Sequence, residues 1–214
     1  MRAVAVLSVA LFHAHIPPFS GGFVGVDVFF VISGYLITAI LQREIAAGDF
    51  SLLSFYDRAT CLGIGAWILL PLELNALAQQ TLWATFFTAN IYFNSNLSYF
   101  GIHADAAPLL NLWSLAVEEQ FYIVFPLLML GLARLNAAWL RTALLLGLAA
   151  ASLIHAQLLL QHDPQSAFYL LPARAWELLL GSLLAVLPLP ALGSRAARVA
   201  GISGALLICL PVVV

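Results

Sequence analysis

The sequence predicts an all-α protein, a polytopic membrane helix bundle of about seven transmembrane helices. Of its 214 residues, 63% are hydrophobic and 8% are charged, whereas soluble domains usually carry about a quarter charged residues. Apolar runs recur along the chain at lengths that cross a bilayer or nearly so. Connections rich in proline and glycine, such as "PPFSGG", separate several of these runs. These three observations make the lipid bilayer the first predicted partner.

The predicted spans are the long apolar runs, which cover residues 3–16, 24–42, 76–95, 113–133, 142–160, 166–187 and 199–214. The first run imitates a signal peptide, but two histidines and a Pro-Pro pair follow it in place of a cleavage site. We therefore expect it to be retained. A run at 59–72 is too short for a span at about 1.5 Å per residue, so we expect it to be re-entrant or interfacial. The prediction is a single domain over residues 1–214.

Arginine placement supports this number of spans. The arginines that flank the runs are Arg2, Arg43, Arg58, Arg134, Arg141, Arg195 and Arg198. If 59–72 does not cross the membrane, all of them fall on one side, which the positive-inside tendency assigns to the cytoplasm. If it does cross, Arg134 and Arg141 move to the opposite side. The net charge of −2 also argues against nucleic acid as a partner.

Ionisable residues inside the predicted spans are the candidates for function. A charge at the centre of a span costs about 2.5–3.5 kcal/mol on insertion scales, so such residues usually face the bundle interior. The set comprises His13, His15, Asp27, Glu118, Glu119, His155, Arg174 and Glu177. The two cysteines, Cys61 and Cys209, lack metal-ligand spacing, so we predict no metal site. We also expect no permanently bound cofactor.

Arg2 and His13 lie eleven positions apart, or about three helical turns, so they share one helix face roughly 16 Å apart. A cation near one surface and a deeper imidazole suit an enzyme that binds an anionic donor and moves a proton. Alternatively, Arg2 is an ordinary cytoplasmic anchor and His13 is a hydrogen-bonded core residue.

The segment "LWSLAVEEQFYIVFP" carries an acid between two hydroxyls. Ser114, Glu118 and Tyr122 recur at helical spacing on one face, and Glu119 lies about 100° round the helix. This face indicates a polar site inside the membrane. Carboxylates also favour a helix N-terminus, which leaves a structural explanation open.

Arg174 and Glu177 stand at i, i+3 in "RAWELLLG". This spacing lets the two side chains neutralise each other within one helix, which favours a structural pair over a catalytic one.

Five motifs follow one another in a fixed order: "RAVAVLSVALFHA", "GGFVGVDVFFVISGYLIT", "NIYF", "WSLAVEEQFYIVFPLL" and "RAWELLLG". They resemble the membrane-embedded acyltransferase 3 family, particularly bacterial members that O-acetylate surface polysaccharides. The resemblance implies a multi-pass enzyme of the bacterial inner (cytoplasmic) membrane. It would move an acyl group, usually acetyl, from cytoplasmic acetyl-CoA to a sugar hydroxyl of lipopolysaccharide O-antigen or peptidoglycan.

The resemblance also implies roles for individual residues. The helix-one histidine of the family, the proposed catalytic group, corresponds to His13, and its arginine corresponds to Arg2. Asp27 would orient the imidazole, although it could equally cap its own helix. Glu118 completes the predicted catalytic set, and we expect His13, Asp27 and Glu118 to converge around one cavity although they lie on three different spans. Arg2 and Arg58 are the predicted coenzyme-binding residues, and Arg58 is the one arginine in a stretch where the family carries several.

The remaining predicted site residues have a substrate-binding or structural role, and they are Trp113, Ser114, Glu119, Tyr122, Arg174 and Glu177. Two other classes of function stay open. The intramembrane acids and histidines would also serve a transporter as a proton relay. The lost arginine cluster would also suit a non-catalytic fragment of the family. Because family members continue beyond the point that matches residue 214, we expect a partial domain.

Overall fold

The computed structural model describes residues 2–13, 21–48, 50–51, 80, 82–96, 109–110, 112–187, 193 and 198–204. Within these residues all regular structure is helical, as the sequence predicts. The chain forms two compact units. The first unit joins residues 1–38 to 177–214, and the second unit comprises residues 39–176.

The described helices are α1 (Arg2–His13), α2 (Gly25–Ala47), α3 (Ala89–Asn96), α4 (Leu112–Ala133), α5 (Ala138–His162), α6 (Pro164–Tyr169) and α7 (Leu171–Val186). A 3-10 turn over Gly22–Val24 leads directly into α2. Two shorter helical pieces cover 82–85 and 198–204.

Four helical stretches of the described residues are long and apolar enough to cross a membrane: Gly22–Ala47, Leu112–Ala133, Ala138–His162 and Pro164–Val186. They coincide with four of the predicted spans, and they indicate a multi-pass membrane protein. The prediction of about seven spans is not confirmed. The first predicted span is a helix of 12 residues, and the last is described only as the helical piece at 198–204. The run at 59–72 lies outside the described residues.

In the first unit, glycines bring the start of α2 against the backbone of α1. A Cβ atom on Gly22 would lie 2.3 Å from the Ser8 carbonyl oxygen, and one on Gly25 would lie 2.4 Å from the Ala5 carbonyl oxygen. No other residue fits at these distances without a shift of the backbone. The glycine-rich turn before Asp27 is therefore required by close helix packing.

A reciprocal glycine contact joins α2 and α7 in the same unit. A Cβ atom on Gly34 would lie 1.8 Å from the Leu178 carbonyl oxygen, and one on Gly181 would lie 1.9 Å from the Val31 carbonyl oxygen. The Ser182 hydroxyl lies 2.9 Å from the Leu178 carbonyl oxygen and 3.3 Å from the Gly34 carbonyl oxygen. Small residues and short hydroxyl side chains at a helix crossing are typical of membrane proteins.

The second unit contains an interrupted helix where the sequence predicts a continuous span over 76–95. The helical piece 82–85 ends at a turn, and α3 begins at Ala89. The amides of Phe87 and Thr88 donate to the carbonyls of Ala84 and Trp83 at 3.0 and 2.9 Å. This pair of hydrogen bonds is the pattern of a Schellman motif at a helix C-terminus, with Phe87 at the left-handed position (φ 56°). Within the predicted span 76–95 the helix is therefore interrupted at Phe87, which adopts a conformation that is most favourable for glycine.

Helix α5 presents a largely apolar outer surface. Leu146, Ile154 and Leu158 are each more than half exposed, and Ser152 and Ala156 are among the few buried residues of the helix. Such a surface would be unfavourable in water, whereas lipid chains cover it without cost. The exposed leucines therefore agree with a membrane location for this helix.

Candidate functional site

Helix α4 carries two buried acids inside a candidate membrane span. Glu118 and Glu119 are 4% and 5% exposed. The Tyr122 hydroxyl, one turn further along the helix, donates a hydrogen bond to the Glu118 carboxylate. This contact confirms the predicted pairing of an acid with a hydroxyl on one helix face. Buried carboxylates are costly within a membrane, so their presence marks a candidate functional site.

Gln120, the next residue on α4, forms hydrogen bonds with the turn that separates the helical piece 82–85 from α3. Its side-chain amide donates to the Phe87 carbonyl over 2.7 Å and to the Asn90 side-chain oxygen over 2.8 Å. The Asn90 amide in turn donates to the Tyr169 carbonyl at the end of α6 over 3.1 Å. Asn90 is 1% exposed. The network therefore satisfies main-chain carbonyls that lack a partner within their own helices.

A second set of polar contacts joins α3 to α6 one turn further on. The Asn94 amide lies 3.1 Å from the Ser166 hydroxyl, and the Gln165 amide donates to the Asn94 carbonyl. Asn90 and Asn94 are four residues apart, so α3 presents both to α6 from one face. These bonds fix the short helix α3 despite its length of 8 residues.

Arg174 lies on a platform formed by two aromatic rings. Its guanidinium carbon is 5.0 Å from the Phe168 ring centre and 5.6 Å from the Trp113 ring centre. Its Nε atom donates to the Phe168 carbonyl over 3.0 Å. The Trp113 ring also packs on Phe168 at 4.6 Å and on Tyr169 at 5.5 Å. Two predicted site residues, Trp113 and Arg174, therefore meet in the structure.

The hydroxyl of Ser152 on α5 holds the first turn of α7. It donates to the Pro172 carbonyl over 2.7 Å and accepts a bond from the Trp176 amide over 2.9 Å. Pro172 and Trp176 are an i, i+4 pair, the spacing of the carbonyl and amide of one α-helical hydrogen bond. The Ser152 hydroxyl bonds both of these groups. Arg174 stands between these two residues, and its position is set by the turn that Ser152 holds.

Asp163 begins α6 as its N-cap. Its carboxylate accepts a hydrogen bond from the Ser166 amide over 3.0 Å, and Pro164 occupies the following position. Hydrogen bonds from the side chain and the amide of Ser166 hold the pKa of the Asp163 carboxyl below its ordinary value. The cap fixes the turn between α5 and α6, from which Phe168 and Tyr169 reach Trp113.

The predicted catalytic set is described only in part. Asp27 is half-buried in the first turn of α2, where the helix dipole stabilises a carboxylate. The main chain of α1 includes Arg2 and His13, but their side chains lie outside the described residues, as does the whole of Arg58. The convergence of His13, Asp27 and Glu118 on one cavity stays a prediction.

Two other predicted site residues keep their predicted positions without a tested role. Ser114 is half-buried on α4, and Glu177 is buried on α7, three residues after Arg174. The predicted neutralisation of Arg174 by Glu177 stays a prediction.

Sequence reasoning missed four polar residues that organise the second unit: Asn90, Asn94, Gln120 and Ser152. Only the two asparagines left a signal, since polar amides at i, i+4 in an apolar run indicate a buried contact. Gln120 directly follows the acids Glu118 and Glu119 in a predicted polar segment, which concealed its separate role. Ser152 stands alone among apolar residues and gave no indication of its partner.

Among the described residues, four helical stretches are long and apolar enough to cross a membrane, and the second unit buries the acids of α4 and the Asn90 amide, which indicates a multi-pass membrane protein. The sequence profile of the acyltransferase 3 family, described as an acyltransferase domain, matches residues 1–213. The chain belongs to this family, which confirms the resemblance that its motifs indicated.

Several curated bacterial proteins are similar to this chain. YrhL of Bacillus subtilis is 34% identical over 223 residues, covering 91% of this chain and 34% of its own. The peptidoglycan O-acetyltransferase OatA of Listeria monocytogenes is 34% identical over 202 residues, covering 86% of this chain and 32% of its own. The O-acetyltransferase OatA of Staphylococcus aureus is 39% identical over 141 residues, covering 59% of this chain and 23% of its own. The chain thus spans about a third of the length of the first two relatives. No solved structure matches it.

Proposed function

We propose that this chain belongs to the membrane domain of an O-acetyltransferase that acetylates a sugar hydroxyl of cell-wall peptidoglycan. The family match over residues 1–213 carries the proposal, and the name of the Listeria relative supports the acceptor. Of the two expected acceptors, peptidoglycan is therefore favoured over lipopolysaccharide. The four membrane-length helices suit a multi-pass protein of the cytoplasmic membrane.

The proposed chemistry needs a group that removes a proton. A sugar hydroxyl is a weak nucleophile at neutral pH, so its proton must leave as its oxygen attacks the acetyl carbonyl of a thioester. His13 takes that proton, the carbon–sulfur bond breaks, and the proton passes to the departing thiolate. Alternatively, the neutral His13 ring attacks the thioester first: the carbon–sulfur bond breaks, the ring proton passes to the departing thiolate, and the sugar oxygen then takes the acetyl group from the ring while its own proton returns to the imidazole. In both routes Asp27 orients the imidazole and stabilises its protonated form.

The proposed donor is an acyl-CoA, in keeping with the acyl chemistry of the family. Arg2 and Arg58 would bind its phosphates from the cytoplasmic side, because guanidinium groups form charge-assisted hydrogen bonds with phosphate. We expect this binding to be weak, since only one arginine stands in the stretch after α2 where the resemblance implies several.

The test is acetylation of peptidoglycan by the full reading frame that contains this chain, expressed in a bacterial host whose own peptidoglycan O-acetyltransferase is deleted. Mild base releases ester-bound acetate from purified peptidoglycan, and the acetate is then quantified. We expect acetate with the parental protein and none with His13→Ala, at equal amounts of membrane-inserted protein. Arg58→Ala should raise the KM for acetyl-CoA.

Two results would contradict the proposal in different ways. A parental protein that inserts normally but adds no acetate would refute the function and favour the transporter or the non-catalytic fragment. Acetylation by His13→Ala at the parental rate would refute the mechanism alone.

A further inference from the structure

We propose that Glu119 binds the acceptor glycan, with its carboxylate accepting a hydrogen bond from a sugar hydroxyl. This inference rests on the proposed function for the identity of the acceptor. It goes further in naming the group that is recognised, the residue that binds it and the side of the membrane from which it enters.

The carboxylate of Glu119 differs from the other polar side chains near it. Glu119 is 5% exposed, yet among the described residues it has no hydrogen-bond or ion-pair partner. Its neighbour Glu118 accepts a hydrogen bond from the Tyr122 hydroxyl. The side-chain amides of Gln120 and Asn90 bond each other and main-chain carbonyls. A buried carboxylate without a partner is costly inside a membrane, so its presence indicates a role in binding a ligand.

The oxygens of Glu119 are accessible to a small group. Although the residue as a whole is buried, neither of its carboxylate oxygens is enclosed by protein atoms. A carboxylate accepts hydrogen bonds and does not donate them. The ligand that satisfies Glu119 must therefore be a hydrogen-bond donor.

The arginine distribution assigns Glu119 to the extracytoplasmic half of its span. Arg134 follows the C-terminal end of α4, and Arg141 lies in the first turn of α5, so the positive-inside tendency assigns the loop between these helices to the cytoplasm. Glu119 is seven residues after Leu112, the first residue of α4, or about 10 Å from the opposite end of the helix. A ligand therefore reaches Glu119 by the shorter path from the extracytoplasmic side.

Of the two proposed substrates, the acceptor suits this position and the donor does not. Acyl-CoA carries several negative phosphate charges, and the adjacent carboxylates of Glu118 and Glu119 would repel them. A sugar carries several hydroxyl groups, each of which can donate a hydrogen bond without bringing a negative charge. The glycan also approaches from the side of the membrane on which Glu119 lies.

The experiment measures sugar binding to the full-length protein in nanodiscs, which does not depend on acetyl transfer. The probes are the disaccharide of N-acetylglucosamine and N-acetylmuramic acid and analogues that each lack one hydroxyl, followed by equilibrium dialysis. We expect Glu119→Leu to weaken binding of the disaccharide about 10- to 100-fold, the effect of losing a hydrogen bond to a charged group. Glu119→Gln keeps an accepting oxygen without the charge, so its affinity should fall between the two.

The analogues test whether the contact is a hydrogen bond from a hydroxyl. One of them should bind the parental protein about 10- to 100-fold more weakly than the complete disaccharide, and this difference should disappear in Glu119→Leu. A difference that persists in Glu119→Leu overturns the inference. Stabilisation of the parental protein by sodium chloride over choline chloride that is lost in Glu119→Gln would assign the carboxylate to a cation and also overturn it.

Thermal unfolding separates binding from a structural role. Glu119→Leu removes a buried charge that has no partner, so it should melt at the parental temperature or above it. Gln157→Leu, at an exposed side chain of α5, is the control and should change neither binding nor melting temperature. Parental binding in both Glu119 variants overturns the inference.

The inference and the proposed function fail in different ways. Acetyl transfer with an unchanged acceptor KM in Glu119→Leu would refute this inference while the proposed function stands. A parental protein that binds the disaccharide through Glu119 but transfers no acetyl group would refute the function and leave the binding site.

Discussion

The side-chain amide of Gln120 donates a hydrogen bond to the main-chain carbonyl of Phe87 over 2.7 Å. Phe87 is the residue at which the helical piece 82–85 turns into α3, and its φ of 56° is unusual for a bulky side chain. Inside a membrane an interrupted helix is tolerated only where neighbouring groups bind the freed carbonyls. Gln120 supplies this partner, so one side chain on α4 stabilises a break in another helix.

Replacing Gln120 with leucine should therefore destabilise the protein. The substitution leaves the Phe87 carbonyl and the buried Asn90 amide with fewer partners, and such a loss typically costs about 1–3 kcal/mol. We expect a lower free energy of unfolding in detergent micelles titrated with sodium dodecyl sulfate. Gln157→Leu is the matched control, since Gln157 is exposed on α5 and its removal should have little effect. Equal stability of the two variants would mean that the break does not depend on Gln120.

The spans that were predicted correctly are those in which the apolar run and the helix coincide. Runs such as 142–160 contain no turn residue strong enough to interrupt a helix, so composition and length were sufficient. The run at 76–95 has the same appearance, yet the chain turns at Phe87. Neither glycine nor proline marks that turn, because its support comes from Gln120, which is 33 residues away in the chain. Contacts of this kind leave no periodic pattern.

In the candidate site, too, contacts within one helix were predictable from the sequence, and contacts between helices were not. The pairing of Glu118 with Tyr122 was predictable because residues at i, i+4 meet on any helix. The platform that joins Arg174 to Trp113 was not, since it depends on how α6 turns before α7 begins. The glycine motif before Asp27 was visible in the sequence. The reason for the glycines is the close approach of the α1 main chain, which only the structure shows.

Alanine at Gly34 or Gly181 should separate α2 from α7. The added Cβ atoms would lie 1.8 and 1.9 Å from main-chain carbonyl oxygens of the other helix, so the backbones must move apart. Overpacking of this kind typically costs about 1–3 kcal/mol, occasionally more. We expect both variants to unfold at lower temperature in a thermal shift assay on detergent-solubilised protein.

Gly147→Ala is the control for this experiment. Gly147 lies within α5, and a Cβ atom there would meet nothing within 4 Å. Alanine is favoured over glycine in a helix by up to about 1 kcal/mol, so this variant should be unchanged or slightly more stable. If Gly34→Ala behaved like Gly147→Ala, the close crossing of α2 and α7 would be wrong.

Removing the Asp163 cap should destabilise α6 in a pH-dependent manner. The pKa of the Asp163 carboxyl is lowered in the folded protein by hydrogen bonds from Ser166, so its ionised form is stabilised by folding. That stabilisation is present above the ordinary aspartate pKa, and it is lost as the pH falls through the lowered value. The difference in melting temperature between the parental protein and Asp163→Ala should be constant near neutral pH and shrink below about pH 4. Asp163→Ser retains a capping oxygen without the charge, so the difference in melting temperature between Asp163→Ser and Asp163→Ala should not change with pH.

Glu118 and Tyr122 allow the proposed site to be tested through side chains that the structure describes. The two are hydrogen-bonded inside α4, and Glu118 is buried, so Glu118→Gln removes the charge while preserving the shape of the side chain. If Glu118 assists proton transfer or holds a catalytic group in place, the rate of acetyl transfer to peptidoglycan should fall by about 10²–10⁴-fold. Tyr122→Phe removes one hydrogen bond to the carboxylate and should cost less, about tenfold. Tyr35→Phe, at an exposed tyrosine on α2, should retain the parental rate. Parental kcat in Glu118→Gln, with normal membrane insertion, would exclude this carboxylate from the reaction and leave it a structural acid of α4.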